Sequence, residues 1–375
     1  MKSRLFLATI VVCCIPAAAL ADQPLADRLP ADALLYVGWA GKNLPLDGSM
    51  AGQFLAEPEV PSLVGMVKAL LDTQVDEGRE KELLTHAWGL AAIAWKRPIA
   101  LSVIDVDTSG DEPVPNAVLL IDLGQDLGAF KEKFKALVDF IAKEEEGFQF
   151  TDAAAGELTY KTLRIEGKVD LSYGDMDKVF FLALGADVPK LLSEVTVAKS
   201  LKTSERFAAC FKDVGGENEQ LSAYLDVGRI VKLAQTMAPA PPAGAGTRPA
   251  AGPPSPRKVL EALGLEKLTA VAGSLRIVDR GMYTKVRLVT KKPHGGLLKL
   301  LTGPALTEED LATIPEDAVF AAACKVSASD LYKELIEVVG RLSPQAKEQL
   351  DKQLAEIEKE LGISLTDVLL SLIHI

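Results

Sequence analysis

Histidine and cysteine are scarce in this sequence. Three histidines (His86, His294, His374) and four cysteines are scattered over 375 residues, with no His-Glu-x-x-His or Cys-x-x-Cys pair. Zinc centres draw on such side chains at close spacing, so none is expected. Gly-x-Ser-x-Gly is missing as well, and no cysteine has a histidine partner nearby. The usual sequence marks of an activated nucleophile are therefore absent. Gly244-Ala245-Gly246-Thr247 lies in a proline-rich stretch rather than between a strand and a helix, so it is not a phosphate loop. No catalytic, cofactor-binding or metal-ligating residue is assigned, and no cofactor is expected.

Positive charge is also in deficit: 41 Lys and Arg stand against 52 Asp and Glu, a formal charge of −11. Two of those cations, Lys2 and Arg4, open a short basic segment, followed by the uncharged stretch Leu5–Leu20 with Pro16 and a small-residue Ala19-Leu20-Ala21 site. This reads as a secretory signal peptide over residues 1–21, cleaved after Ala21. The rival reading, a retained N-terminal anchor, suffers from length, since a span needs ~20 apolar residues. Cys13 and Cys14 lack the small preceding residue of a lipoprotein site and leave with the signal. The mature chain of 354 residues then carries −13. Such a chain is repelled by phosphate backbones, so no nucleic acid partner is expected, and no transmembrane span remains after cleavage. The expected location is extracytoplasmic, periplasmic or secreted.

Only Cys210 and Cys324 remain, too few for a disulfide scaffold, so the fold must rest on apolar burial. Phe207, Cys210, Phe211 and Val214 share one helix face, and Cys324 alternates with Phe320, Ala322 and Val326 on a strand. Two buried thiols is the favoured reading, with one disulfide as the alternative in an oxidising compartment.

What is present is a succession of short strands and amphipathic helices. Strands are expected at Ala33–Trp39, at a hairpin of Pro98–Asp107 and Ala117–Asp122, and over residues 157–165, 169–173, 179–184 and 221–226. A second hairpin joins residues 269–278 and 282–290 around Asp279-Arg280-Gly281. Helices are expected over the stripe Val60–Leu71, over residues 80–92, along Phe130, Phe134, Leu137, Val138 and Ile141, from Val188, and around Phe207. Near the end, Leu331, Leu335, Val338 and Leu342 form one inward stripe; Leu350, Leu354, Ile357 and Leu361 form another, on a helix opened by Ser343-Pro344 and closed by Gly362.

Residues 238–256 hold sixteen Pro, Ala or Gly among nineteen and read as an extended linker inserted in a domain. The expected organisation is a signal peptide (1–21), an N-terminal α+β region (22–200), a middle α+β region (201–312) containing that linker, and a C-terminal unit (313–375). Leu29-Pro30-Ala31-Asp32-Ala33 recurs as Ile314-Pro315-Glu316-Asp317-Ala318, each before a strand. The fold class is thus α+β: repeated β-α-α-β-β-like units, mainly antiparallel sheets packed by amphipathic helices. The last unit lacks its closing hairpin after Asp367, and Ser371–Ile375 resembles translated sequencing-adapter read-through. The chain is therefore expected to be truncated, with its natural end beyond about residue 370.

Three features approach a site. Asp105-Val106-Asp107-Thr108-Ser109-Gly110-Asp111 places oxygens at alternate positions, as calcium loops do, but Asn116 stands where a bidentate Glu belongs, so an acidic hairpin tip is favoured. Glu308-Glu309-Asp310 fits the first turn of a short helix better than an acid–base pair. Trp39, Trp88 and Trp95 are candidates to stack on a sugar, yet core or edge packing is the commoner role.

The elements Leu29-Pro30-Ala31-Asp32, Ile314-Pro315-Glu316-Asp317-Ala318, Thr203-Ser204-Glu205-Arg206-Phe207, Tyr224-Leu225-Asp226 and Gly264-Leu265…Val286-Arg287-Leu288 together resemble a family of exported bacterial proteins, a domain of unknown function common in planctomycete-like genomes. The resemblance implies an extracytoplasmic protein of repeated α+β units and no catalytic residues. The resulting expectation is a non-catalytic binding or assembly module of the cell envelope, with an envelope protein or ligand as partner. The alternatives are a hydrolase with a dispersed site, or a carrier of a lipid or other apolar ligand.

Overall fold

Alternation in the strands sorts their side chains onto two faces, and in the central strands both faces carry buried residues. The computed structural model describes residues 23–41, 78–110, 113–144, 148–165, 169–212, 214, 219–237, 256–278, 281–300, 306–312 and 328–362. The chain divides into two units, one of residues 1–227 with 270–288, the other of 228–269 with 289–375.

The first unit is built on a sheet in the order β10-β9-β8-β1-β2-β3-β7-β6-β5-β4. Its strands are β1 (Leu35–Trp39), β2 (Ile99–Asp107), β3 (Val114–Asp122), β4 (Thr151–Ala155), β5 (Leu158–Ile165), β6 (Val169–Met176), β7 (Val179–Leu184), β8 (Leu221–Leu225), β9 (Leu268–Val278) and β10 (Gly281–Thr290). The class is α+β with a large antiparallel sheet: β1 runs antiparallel to both β2 and β8, and β3, β7, β6, β5 and β4 follow as antiparallel neighbours. The β4 strand was not expected from its sequence, Thr-Asp-Ala-Ala-Ala, which lacks β-branched and aromatic weight beyond Thr151.

One face carries Trp39, Ile99, Ile121 and Phe180. Helices α1 (Arg79–Ala94) and α2 (Leu127–Glu144) bury Leu90, Ala94, Phe130, Phe134, Leu137 and Ile141 against it. On α2 the stripe falls where the 3,4-spacing puts it, with Lys131, Glu132, Lys135 and Lys143 exposed on the other side. The opposite face carries Tyr36, Leu120, Phe181 and Tyr224. Covering residues come from α3 (Val188–Ser193) and α4 (Glu205–Phe211), whose Phe207 stands edge-on to Tyr36 at 5.4 Å and to Tyr224 at 5.1 Å. Two strand glycines make room for these rings. A Cβ at Gly38 would stand 1.9 Å from the Tyr36 hydroxyl, which donates to the Pro24 carbonyl at 2.9 Å. A Cβ at Gly174 would stand 2.8 Å from its cross-strand partner Phe181.

In the second unit, α5 (Val227–Met237), α6 (Pro256–Ala262), α7 (Leu297–Leu300), α8 (Glu308–Leu311), α9 (Ala328–Leu342) and α10 (Pro344–Leu361) are helical. Thr307 and Asp310 form a capping box at the start of α8, so the acidic run Glu308-Glu309-Asp310 is a helix start. Ser343 caps α10, its hydroxyl accepting the Ala346 N–H at 3.2 Å, and Gly362 ends the helix in the left-handed conformation (φ 66°).

The α9 stripe differs from expectation. Glu334 and Val338 are buried, while Leu331 and Leu335 are 39% and 46% exposed. The cause is a polar clamp: Arg341 donates to Glu334 at 3.1 Å and to the Ala262 carbonyl of α6 at 3.1 Å, so the 334–338–341 edge turns inward. On α10, Leu350 and Leu354 are half-buried and Ile357 is exposed. The signal peptide, the Val60–Leu71 stripe, residues 238–255, the Cys324 strand and the segment after Gly362 lie outside the described residues.

Candidate functional site

The Asp105–Asn116 loop folds as a hairpin tip as far as it is described. Asp107 accepts the Ser109 N–H at 2.8 Å, closing a local turn, and this bond holds its carboxyl below the usual range. Asn116 pairs across the ladder with Asp105, and its amide oxygen lies where a Cβ on Gly185 would be. Among the described residues, no three His, Cys, Asp or Glu side chains gather as a metal site. His86 packs near Phe140 at 5.7 Å, and His294 exchanges a hydrogen bond with Thr290 at 3.2 Å. His374 is outside the described residues.

Cys210 is a free, buried thiol. Burial raises its pKa above the ordinary value, with Asp226 acting in the same direction and Arg287 and Arg206 against it. The thiol is thereby kept protonated and unreactive. Beside it, Asp226 is almost fully buried and accepts a hydrogen bond from the half-exposed Arg206, an ion pair that ties α4 to the end of β8.

A cavity of about 40 Å³ lies between α1, α2 and the sheet. Its lining includes Ala91, Leu119, Phe130, Leu137 and Phe180, with no polar group. Pockets that enclose a whole small ligand measure ~300–1,000 Å³, so this void is too small to enclose one. No helix among the described residues is long and apolar enough to cross a membrane.

In the first unit, two surfaces carry exposed aromatic side chains. The first is β10, which ends the sheet on one side among the described residues. Val286 is 64% exposed, and Tyr283 and Leu288 are also exposed. Two cations sit among them: Lys285, 3.8 Å from the buried Glu219, and Arg287. Arg276 of β9 lies over the Tyr283 ring at 5.4 Å. The other edge, β4, is only five residues long, and its exposed Asp152 is bonded to Lys161 at 2.8 Å. Short charged edges resist strand addition; β10, at ten residues with open apolar positions, is the more receptive edge.

The second surface is the outer side of α1. Trp39 is buried in the core, as packing predicts, and donates its indole N–H to the Trp95 carbonyl at 2.9 Å. Trp88 and Trp95, read from sequence as packing residues too, are instead 54% and 46% exposed. Their spacing of seven was visible in the sequence, but which side of an apolar helix faces water was not.

Comparison with protein-family models, with curated proteins and with solved structures finds no match for this chain.

Proposed function

We propose that this is an exported bacterial protein, cleaved after Ala21, whose mature form is a non-catalytic binding or assembly module of the cell envelope, related to the exported family that its short motifs resemble. The observation that carries this reading is β10, the edge strand of the sheet among the described residues, with Tyr283, Val286 and Leu288 exposed around Lys285 and Arg287. Its partner is an extended acidic segment of another envelope protein. Main-chain hydrogen bonds supply the affinity, and alternate carboxylates facing the two cations select the segment. Pairing with a second β10 is disfavoured, because it brings like charges together across the new ladder. Within the same proposal, the sheet derives from two β-α-α-β-β units. Support comes from the central antiparallel β1–β8 pair, with β1 joined antiparallel to β2 on one side and β8 to β9 on the other.

The test uses the mature full chain and two ten-residue peptides, one alternating Val with Glu and one alternating Val with Lys. The acidic peptide is expected to bind and the basic one not. V286E/L288E, at positions already exposed, is expected to abolish binding with an unchanged melting temperature. Equal binding of both peptides, or full binding by the variant, overturns the reading.

A further inference from the structure

The face of α1 that looks away from the sheet is laid out as a platform. Lys81, Trp88 and Trp95 recur every seven residues, which returns each to nearly the same side of a helix. At 1.5 Å per residue the two indoles are set ~10 Å apart along the axis. Ala92 lies exposed between them, and Gly89 presents no side chain, so α1 itself raises no large side chain between the rings. Trp95 ends the helix in helical conformation, its carbonyl anchored by the Trp39 indole, so its backbone position is fixed by the core.

The platform has a charged border. A Cβ on Gly89 would lie 3.8 Å from the ammonium of Lys133 on α2, so that cation reaches across to the small residue beside Trp88. Lys81 and Lys96 are exposed at the two ends. On a chain of net charge −11, Lys96 at the Trp95 end is a cation that no acidic neighbour in sequence flanks, whereas Lys81 stands between Glu80 and Glu82, and Lys133 follows Glu132.

We propose that this face binds an extended, carboxylate-bearing, β-1,4-linked polysaccharide. In such a glycan, alternate pyranose rings present the same apolar C–H face at about the repeat that separates Trp88 from Trp95, and those faces stack on aromatic rings. The carboxylates then meet Lys81, Lys96 and Lys133, and a flat, unbranched backbone passes over Gly89 and Ala92. This site is separate from β10 and does not depend on strand addition there.

The experiment measures retardation of the mature full chain in gels containing carboxymethyl cellulose (anionic, β-1,4), hydroxyethyl cellulose (neutral, β-1,4) or polygalacturonate (anionic, α-1,4), with tryptophan fluorescence as the second readout. Carboxymethyl cellulose is expected to retard the protein most, the neutral β-glucan less, and the α-linked polymer least. W88A and W95A should each weaken binding by about tenfold or more, a change of ~1.4 kcal/mol per decade. Because both rings are exposed, the melting temperature should hold. K133Q should remove the advantage of the anionic over the neutral β-glucan, while V286E/L288E should bind glycan normally. Failure of all three polymers to retard the protein overturns the proposal, as does wild-type binding by both tryptophan variants. Vesicles of anionic phospholipid serve as a further arm: tryptophan-dependent binding to them, without binding to carboxymethyl cellulose, assigns the face to a membrane surface and also overturns it.

Discussion

Replacing Phe180 with alanine tests how the helical face of the sheet is held. The ring is 2% exposed and stands edge-on to Phe130 and to Phe134, each at 5.0 Å, with Tyr173 at 6.3 Å. Deleting a buried phenyl costs ~3–5 kcal/mol through lost transfer energy and the void left behind. Here the void joins the existing 40 Å³ cavity that Phe180 lines. At ~24 cal/mol per Å³, every further void of that size adds ~1 kcal/mol. The neighbours are rings locked against each other and against a ten-stranded sheet, so collapse is limited and the loss should fall near ~4–5 kcal/mol. For a unit of this size, ~2–4 °C per kcal/mol translates this into a melting shift of roughly 10–20 °C. Phe180→Leu, which keeps most of the volume, should lose ~1.5 kcal/mol or less. The enlarged apolar void should also take up benzene, raising the melting temperature of Phe180→Ala but not of the wild type, since only the native variant offers the site. Urea melts of the three proteins, with and without benzene, decide the matter. A loss below ~2 kcal/mol with no benzene effect would show that the face repacks freely, and would refute the locked-ring account.

Tyr36→Phe should be less stable than the wild type by ~1 kcal/mol at neutral pH, because the Pro24 carbonyl loses its donor. Burial, and secondarily Asp27, hold the Tyr36 phenol well above its ordinary pKa. The unfolded chain gives up that proton near pH ~10 while the native chain keeps it, so wild-type stability falls as pH rises beyond that point. The variant lacks this component, and its stability should decline less steeply in alkali; parallel curves by circular dichroism would contradict the assignment. At the α4–β8 junction, Arg206→Ala should cost more than Asp226→Asn, by denaturant midpoint. The first strips a partner from a carboxylate whose side chain is 4% exposed, whereas the second leaves a half-exposed arginine that water can reach. Solvent access at Arg206 limits the first loss to ~2–3 kcal/mol, and the reverse ranking would sink the argument.

Local periodicity made much of this architecture readable. The α2 stripe, the β2–β3 and β9–β10 hairpins, the acidic first turn of α8 and the caps at Ser343 and Gly362 are all short-range patterns, decided within one or two turns of chain. What stayed hidden depends on partners remote in sequence. The antiparallel pair of β1 with β8 joins Leu35 to Leu225, and nothing near either residue announces the other. The position of β10 at the end of the sheet among the described residues follows from that order, so it was equally hidden. On α9, hydrophobicity alone pointed Leu331, Leu335 and Val338 inward; with one arginine bonding to Glu334 and to a carbonyl of α6, the buried edge keeps Val338 but takes in Glu334 in place of the two leucines. Helix α1 shows the same limit most sharply. From Ala87 to Trp95 it is apolar on every side, and such a helix reads as buried all round. Leu90 and Ala94 do turn into the core, but a helix lying on a sheet has only one side to give it. The remaining side must hold something inert to water or something that has a use for the exposure. Alanine would have satisfied the first condition at every outer position, as it does at Ala92. Two tryptophans, the largest apolar side chains available, do not meet the first, and the proposed glycan platform is the use that fits them.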